Sequence, residues 1–288
     1  MKKQIFFDIG KSASITPSQI EGVLLLILGI SKTQLFQMDD IPSHFLYDFQ
    51  KYIYDMQSGK PDAYIFWKEC FYGRDFYVNE NVLIPRNDTE VLVSRMLDIC
   101  NKNADIKDAY YIDIGTGTGC IGITLLLELH PLNFLYTYFI DISSLTLDVT
   151  RKNIATHKLP ENFWVLEWNL LHPLFLEPLL PWKKIYISAN LPYIKNGDFW
   201  NVWKNVQDFE PEIALYGGKN TWFEMYEELI KQCFQCKKIF HLQDIHLFIE
   251  IGFDQYEYSK KYIQELGLWF EYFPDLHKIQ RVIHIFGF

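Results

Sequence analysis

The chain has no apolar run long enough to cross a bilayer. Its longest, Val23 to Ile30 (VLLLILGI), falls well short of the roughly 20 residues a helical span needs, and Glu128, His130, Pro131 and Asn133 interrupt the stretch from Gly122 to Ile140. No membrane helix is expected. Lys2 and Lys3 could open a secretory leader, but Asp8 and Lys11 break the apolar stretch that should follow, so a cytoplasmic protein is expected. Positive charge is also in deficit. The 27 Lys and Arg set against 36 Asp and Glu leave a formal charge of −9, which repels phosphate backbones on average and argues against a nucleic-acid partner. Cysteine is scarce: five residues, odd in number and unevenly spaced at 70, 100, 120, 233 and 236, give no disulfide framework and read as reduced thiols. Cys233-Phe-Gln-Cys236 with His241 and His246 has the outline of a zinc clamp, yet it lacks the dozen or so residues a finger places between its ligand pairs. No metal is expected; a helix end running into a buried strand is the plainer reading. Internal repeats and low-complexity segments are missing as well.

What is present is a core. Apolar residues make up 49% of the chain and aromatics 17%, far from the composition of disorder. Thr16-Pro17-Ser18-Gln19 has the form of a capping box with proline at the first helical position, predicting a helix to about Leu28. Ser31 to Gln34 repeats the signal, and Phe45, Phe49, Tyr52, Ile53 and Met56 recur at helical spacing until Ser58-Gly59 ends a third helix. A small helical domain over residues 1–69 follows. The alternating aromatic and polar text from Cys70 to Arg86, around the turn-prone Asn79-Glu80-Asn81, predicts a β-hairpin linker over 70–87. Beyond it, over 88–288, strand-like runs (YYIDIG, FLYTYFID, NFWVLEW, KKIYISAN, IHLFIEIG) alternate with helical ones, which predicts an α/β fold with a mostly parallel sheet covered on both faces. The last two strands, LWFEYFP and RVIHIFGF, are joined too closely for a crossover helix and should pair antiparallel at one edge.

Asp113-Ile-Gly115-Thr116-Gly117-Thr-Gly119 closes the first strand of that sheet and opens a helix. Glycines there allow a tight turn and let a ligand lie against backbone amides. Gly117 to Gly122 also satisfies the dinucleotide pattern G-x-G-x-x-G, so a nicotinamide cofactor competes at this point. Asp113 precedes the loop, and Asp141 ends the next strand about 20 residues on, where a carboxylate can accept both ribose hydroxyls. The set resembles the cofactor site of class I S-adenosylmethionine-dependent methyltransferases. That resemblance implies a Rossmann-like, seven-stranded sheet with an antiparallel last strand. It further implies that Asp113 faces the methionine end of S-adenosyl-L-methionine, that Gly115, Thr116, Gly117 and Gly119 border it, that Asp141 holds the ribose, and that Asn169 meets the adenine amine.

The fourth strand of such a sheet ends beside the methyl group, and here it ends in SANLPYI. Asn190-Leu191-Pro192-Tyr193 resembles the [NDS]-P-P-[YFW] signature of enzymes that methylate planar nitrogens. An amide or ring amine is a poor nucleophile because its lone pair is delocalised, so the enzyme must orient it. The Asn190 side-chain oxygen and the Leu191 carbonyl can each accept one N–H of the substrate's NH2, and Tyr193 can pack on the planar group. Leu191 stands where a first proline is usual. It keeps the carbonyl, and Pro192 still restrains it toward extended geometry.

NLPY also occurs in ribosomal RNA adenine dimethyltransferases, which leaves an RNA or DNA adenine methyltransferase as the alternative. Other segments point elsewhere. GRDF at 73–76, VLIPRNDTE at 82–90, SGKP at 58–61, FEPEIALYGG at 209–218 and the terminal QRVIHIFG together resemble the release factor glutamine methyltransferase family (HemK/PrmC) over nearly the whole chain. The resemblance implies methylation of the glutamine in the GGQ loop of class I peptide-chain release factors by a monomer. The helical domain would grip that partner, and Arg86 and Glu90 would shape the pocket. Asn87 for the second proline of IPRPETE, Leu191 for proline, and Asn220-Thr221 for Asp-Gly are departures from the family pattern.

Overall fold

The structure, a computed structural model, describes the chain except for residues 131–133, 161, 176–178, 196–203 and 219–220 and the side chains of 104, 105 and 204. The interruptions at Pro131 and Asn133 and the departure at Asn220 therefore lie outside the described residues. Two compact units are formed, Met1–Lys68 with Lys204–Phe209, and Glu69–Trp203 with Glu210–Phe288.

The first unit carries α1 (Lys3–Ser12), α2 (Pro17–Leu28), α3 (Lys32–Gln37), α4 (Leu46–Gln57) and α5 (Asp62–Phe66). Both expected capping boxes form: Thr16 and Gln19 satisfy each other's backbone amides at the start of α2, and Ser31 and Gln34 do so at the start of α3. The helices share a core of Phe6, Ile20, Val23, Leu24, Leu35, Ile41, Phe49 and Ile53. α1 and α5 begin without a capping box, neither having a side chain bonded at its N-cap.

In the second unit, β1 (Lys68–Phe71) and β2 (Arg74–Tyr77) form the hairpin. Its turn is not at Asn79–Asn81 as expected. Tyr72 and Gly73, with φ of 52° and 71°, make a two-residue turn whose left-handed geometry matches strand twist. The aromatic Tyr72 hides the signal. After α6 (Glu90–Cys100) come β3 (Tyr110–Ile114), α7 (Cys120–Leu129), β4 (Tyr136–Asp141), α8 (Ser144–His157), β5 (Phe163–Glu167), β6 (Lys184–Ala189), β7 (Ile194–Lys195), α9 (Lys204–Phe209, counted with the first unit), β8 (Tyr216–Gly218), α10 (Glu224–Phe240), β9 (Asp244–Glu250), α11 (Tyr256–Glu265), β10 (Trp269–Pro274) and β11 (Gln280–Phe286).

Seven of these strands make one sheet in the order β10-β11-β9-β6-β3-β4-β5. Neighbours run parallel except β11, which is antiparallel to both β9 and β10. This is the expected α/β architecture of class I methyltransferases, and the antiparallel pair occupies one edge. Alternation along β3 sorts its side chains: Tyr110, Ile112 and Ile114 join the α10 and α11 side of the sheet, while Tyr111 faces α6 and α7. β3 lies between β4 and β6, so the chain ends leaving β3, β4 and β6 converge along one sheet edge. That edge carries the site.

Candidate active site

A cavity opens at the carboxyl ends of β3, β4, β5 and β6. It is lined by Gly115, Thr116 and Gly117 of the glycine loop, by Asp141 and Asn169, and by Asn190, Leu191 and Pro192. Val82, Pro85, Arg86 and Thr89 close one side, and Ala214 and Tyr216 another. Segments that the sequence scatters over more than a hundred residues thus face one space.

The loop is bent by three glycines with positive φ, at 115, 117 and 119. Its backbone approaches the next strand exit so closely that a Cβ on Gly115 would lie 2.9 Å from Leu191 Cδ2. Asp141 tightens it from the side, its Oδ2 accepting from Gly117 N at 3.1 Å and its Oδ1 from Ser143 N at 3.1 Å. Burial pushes the Asp141 carboxyl upward, and these amide bonds oppose the shift.

Asp113 is not among the residues that line the cavity. The alternation of β3 turns its side chain to the Tyr111 face, fully buried beneath the loop and away from the cavity. Its Oδ1 accepts from Ser188 Oγ at 2.6 Å, and its Oδ2 from Thr116 Oγ1 at 2.7 Å and Gly122 N at 3.3 Å. Burial raises its pKa to about 6 against these bonds. Asp113 is the post on which the loop is hung. Gly119 is likewise absent from the lining; it is the N-cap of α7, and a Cβ there would meet Ile123 and Thr150.

Asn190 reaches the cavity with a defined orientation. Its Nδ2 donates to Thr89 Oγ1 at 3.1 Å, which leaves Oδ1 as the free end of the amide. Behind this pair lies Glu250, buried at the end of β9, with its pKa lifted by burial to about 7 and held down in part by the Thr89 hydroxyl, Arg281 and the Asn190 amide. Leu191 is buried, its N–H donated to the Tyr226 hydroxyl at 2.9 Å. Pro192 lines the cavity, but Tyr193 does not. The Tyr193 ring passes Gly252, where a Cβ would lie 3.1 Å from Cδ2, and burial raises its phenol so that it stays neutral.

The remaining motifs buttress this loop. Ile194 N donates to Leu215 O at 3.0 Å, and β7 pairs with β8. Gly217 makes the pairing possible, since a Cβ there would stand 2.0 Å from Pro192 O. Glu210, buried, accepts from Ile84 N at 3.2 Å and pairs with Arg86, tying FEPEIALYGG to VLIPRNDTE. Glu90 turns away from the cavity and accepts from Tyr72 N at 2.7 Å, closing the hairpin turn. Thr221 has a local role, its hydroxyl accepting from Phe223 N ahead of α10. Sequence reading missed Thr89, Glu210, Tyr226 and Glu250 as individuals, although the first two fall inside quoted motifs.

The cradle suits a nucleoside carrying an amino-acid tail. Asp141 offers an acceptor for ribose hydroxyls, Ile142 and Leu170 offer apolar walls, Asn169 offers an amide, and Gly117 keeps the loop low, since a Cβ there would meet nothing nearer than Gly115 O at 3.9 Å.

The chain is 30% identical over 267 residues to the release factor glutamine methyltransferase of Aquifex aeolicus (strain VF5), covering 91% of this chain and 88% of that one. It is 32% identical over 269 residues to the Clostridium botulinum (strain Hall) protein of that name, covering 91% and 89%. To the Bacillus anthracis one it is 31% identical over 261 residues, covering 89% and 85%. No family model matches the chain. Among solved structures, the human methyltransferase 10 domain containing protein superposes with a TM-score of 0.50 at 18% identity, covering 75% of this chain and 88% of that one. The hMettl16 catalytic domain in complex with MAT2A 3′UTR hairpin 6 gives 0.52 at 14%, covering 73% and 74%. Those two likenesses concern the fold alone.

Proposed function

The chain belongs to the release factor glutamine methyltransferase family, and we propose that its cavity transfers a methyl group from S-adenosylmethionine to the side-chain amide nitrogen of the GGQ glutamine in class I release factors. One observation carries the assignment to this cavity: Asn190 enters it with its NH2 end already bound by Thr89, so the end presented to a substrate is an acceptor. A primary amide has two N–H donors, and Asn190 Oδ1 with the Leu191 carbonyl matches them. Held so, the amide plane is fixed and lone-pair density on nitrogen is directed rather than averaged, which is the work of orientation.

S-adenosylmethionine, when bound, supplies an electrophilic methyl on a sulfonium. Asp141 would hold the ribose, Asn169 the adenine edge, and Gly115, Thr116 and Gly117 the amino-acid portion, leaving Asn190 and the Leu191 carbonyl to orient the amide nitrogen toward that methyl. Arg86, fixed by Glu210, and Pro192 form the wall on the substrate side. Residues 1–69 are assigned to holding the rest of the factor, 70–87 to linking, and 88–288 to catalysis. We assign the working form as a cytoplasmic monomer; no helix among the described residues is long and apolar enough to cross a membrane. The adenine alternative has the charge of −9 against it, since capture of RNA favours basic surface.

Purified protein with labelled S-adenosylmethionine should label a release factor and leave RNA unlabelled; the converse ends the proposal. Asn190→Ala should reduce turnover by about a thousandfold or more, as expected when an orienting contact is removed from the reacting group, with calorimetric cofactor affinity little changed.

A further inference from the structure

Residue 191 carries a backbone N–H that a proline would lack. Leu191 is buried, so that donor must find a partner inside the protein. It finds Tyr226, whose hydroxyl lies 2.9 Å from Leu191 N, 3.3 Å from Leu191 O and 2.5 Å from Glu250 O. A phenol has a single hydrogen to give. The short contact with Glu250 O takes it, which leaves the phenol oxygen to accept from Leu191 N and the Leu191 carbonyl free to accept from elsewhere. Burial holds the phenol far above its ordinary pKa, so the hydrogen stays in place. On its other flank the Leu191 side chain presses on Gly115, where even a Cβ would come within 2.9 Å.

We propose that Tyr226 is a positioning residue, its hydroxyl bridging Leu191 N–H to the carbonyl at the end of β9 and supplying the restraint that a proline at 191 would otherwise provide. The bridge joins the exits of two adjacent strands, β6 and β9, at the point where the Leu191 carbonyl must stand still for the substrate amide. This inference rests on the function proposed above, since it assigns the carbonyl of 191 to the substrate.

Wild type, Tyr226→Phe, Leu191→Pro and the double variant are compared for methyl transfer to a release factor, for calorimetric cofactor affinity and for hydrogen exchange over 188–194. Loss of the hydroxyl strands a buried donor, so Tyr226→Phe should lower kcat about tenfold, with KM and cofactor affinity changed no more than about twofold, and should speed exchange in that segment. Adding Leu191→Pro removes the stranded donor and restores a restraint, so the double variant should recover most of the lost kcat. An unchanged kcat in Tyr226→Phe overturns the inference; so does a double variant no better than the single one. If wild type labels no release factor, the proposed function has failed instead. The bridge is then judged by exchange alone: faster exchange in Tyr226→Phe upholds it, and unchanged exchange overturns it.

Discussion

Glu250→Gln tests the electrostatics behind Asn190 without altering shape. Glu250 is 1% exposed, and its Oε2 has no hydrogen-bond partner among the described residues. Its pKa is displaced from 4.5 to about 7, chiefly by burial. Between those limits the folded protein keeps a proton that the unfolded chain has released. The stability this confers is complete below the unfolded pKa and is lost as pH rises through the folded one. A displacement of that size corresponds to about 3 kcal/mol. Asp113, lifted from 3.8 to about 6, and Asp141, also raised by burial, act in the same direction, so wild type is weakened by three buried acids as pH climbs. Glutamine keeps an acceptor for the Thr89 hydroxyl and never charges. The variant should match wild type near about pH 4.5 and exceed it by about 3 kcal/mol near pH 8, leaving the part of the slope that belongs to Asp113, Asp141 and the other shifted groups. Urea unfolding followed by fluorescence of the eight tryptophans reads this directly. Parallel pH profiles for the two proteins would refute the reasoning, because they would mean that Glu250 carries no displaced proton.

Gly217→Ala would set a Cβ 2.0 Å from Pro192 O, a backbone atom that cannot swing aside. It should cost about 1–3 kcal/mol in stability and lower kcat/KM about tenfold or more, with cofactor affinity preserved in calorimetry, since the push falls on the substrate loop. Asp141→Asn replaces one ribose acceptor with a donor and weakens the hold on Gly117. Cofactor affinity should fall about tenfold or more by calorimetry, with KM for the release factor unchanged.

Periodicity and spacing made the sheet, its antiparallel edge and the two capped helices legible, because each depends on neighbours close in sequence. The glycine loop, Asp141, Asn169 and Asn190 were legible for a related reason: each ends or follows a strand, and strand ends in such a sheet are where ligands lie. Asp113, Glu90, Gly119 and Tyr193 sit in the correct segments but do not line the cavity. What decides their duty is one step of alternation or one turn of backbone, and a segment-level reading does not resolve that. Tyr72 in the hairpin turn shows the same limit, an aromatic residue adopting a geometry usually left to Asn or Gly.

The supports that reading missed share a different cause. Thr89 and Asn190 stand 101 residues apart, and Ile84 and Glu210 stand 126 apart; only the closed fold turns either pair into a contact. The same fact explains how the motif survives leucine at 191. A substitution is mild where the role belongs to the backbone carbonyl, provided that the N–H it introduces is answered in three dimensions. Tyr226, 35 residues away, answers it. A departure from a short motif is therefore weighed by the partner that its new atom acquires, and residue 191 has one within 2.9 Å.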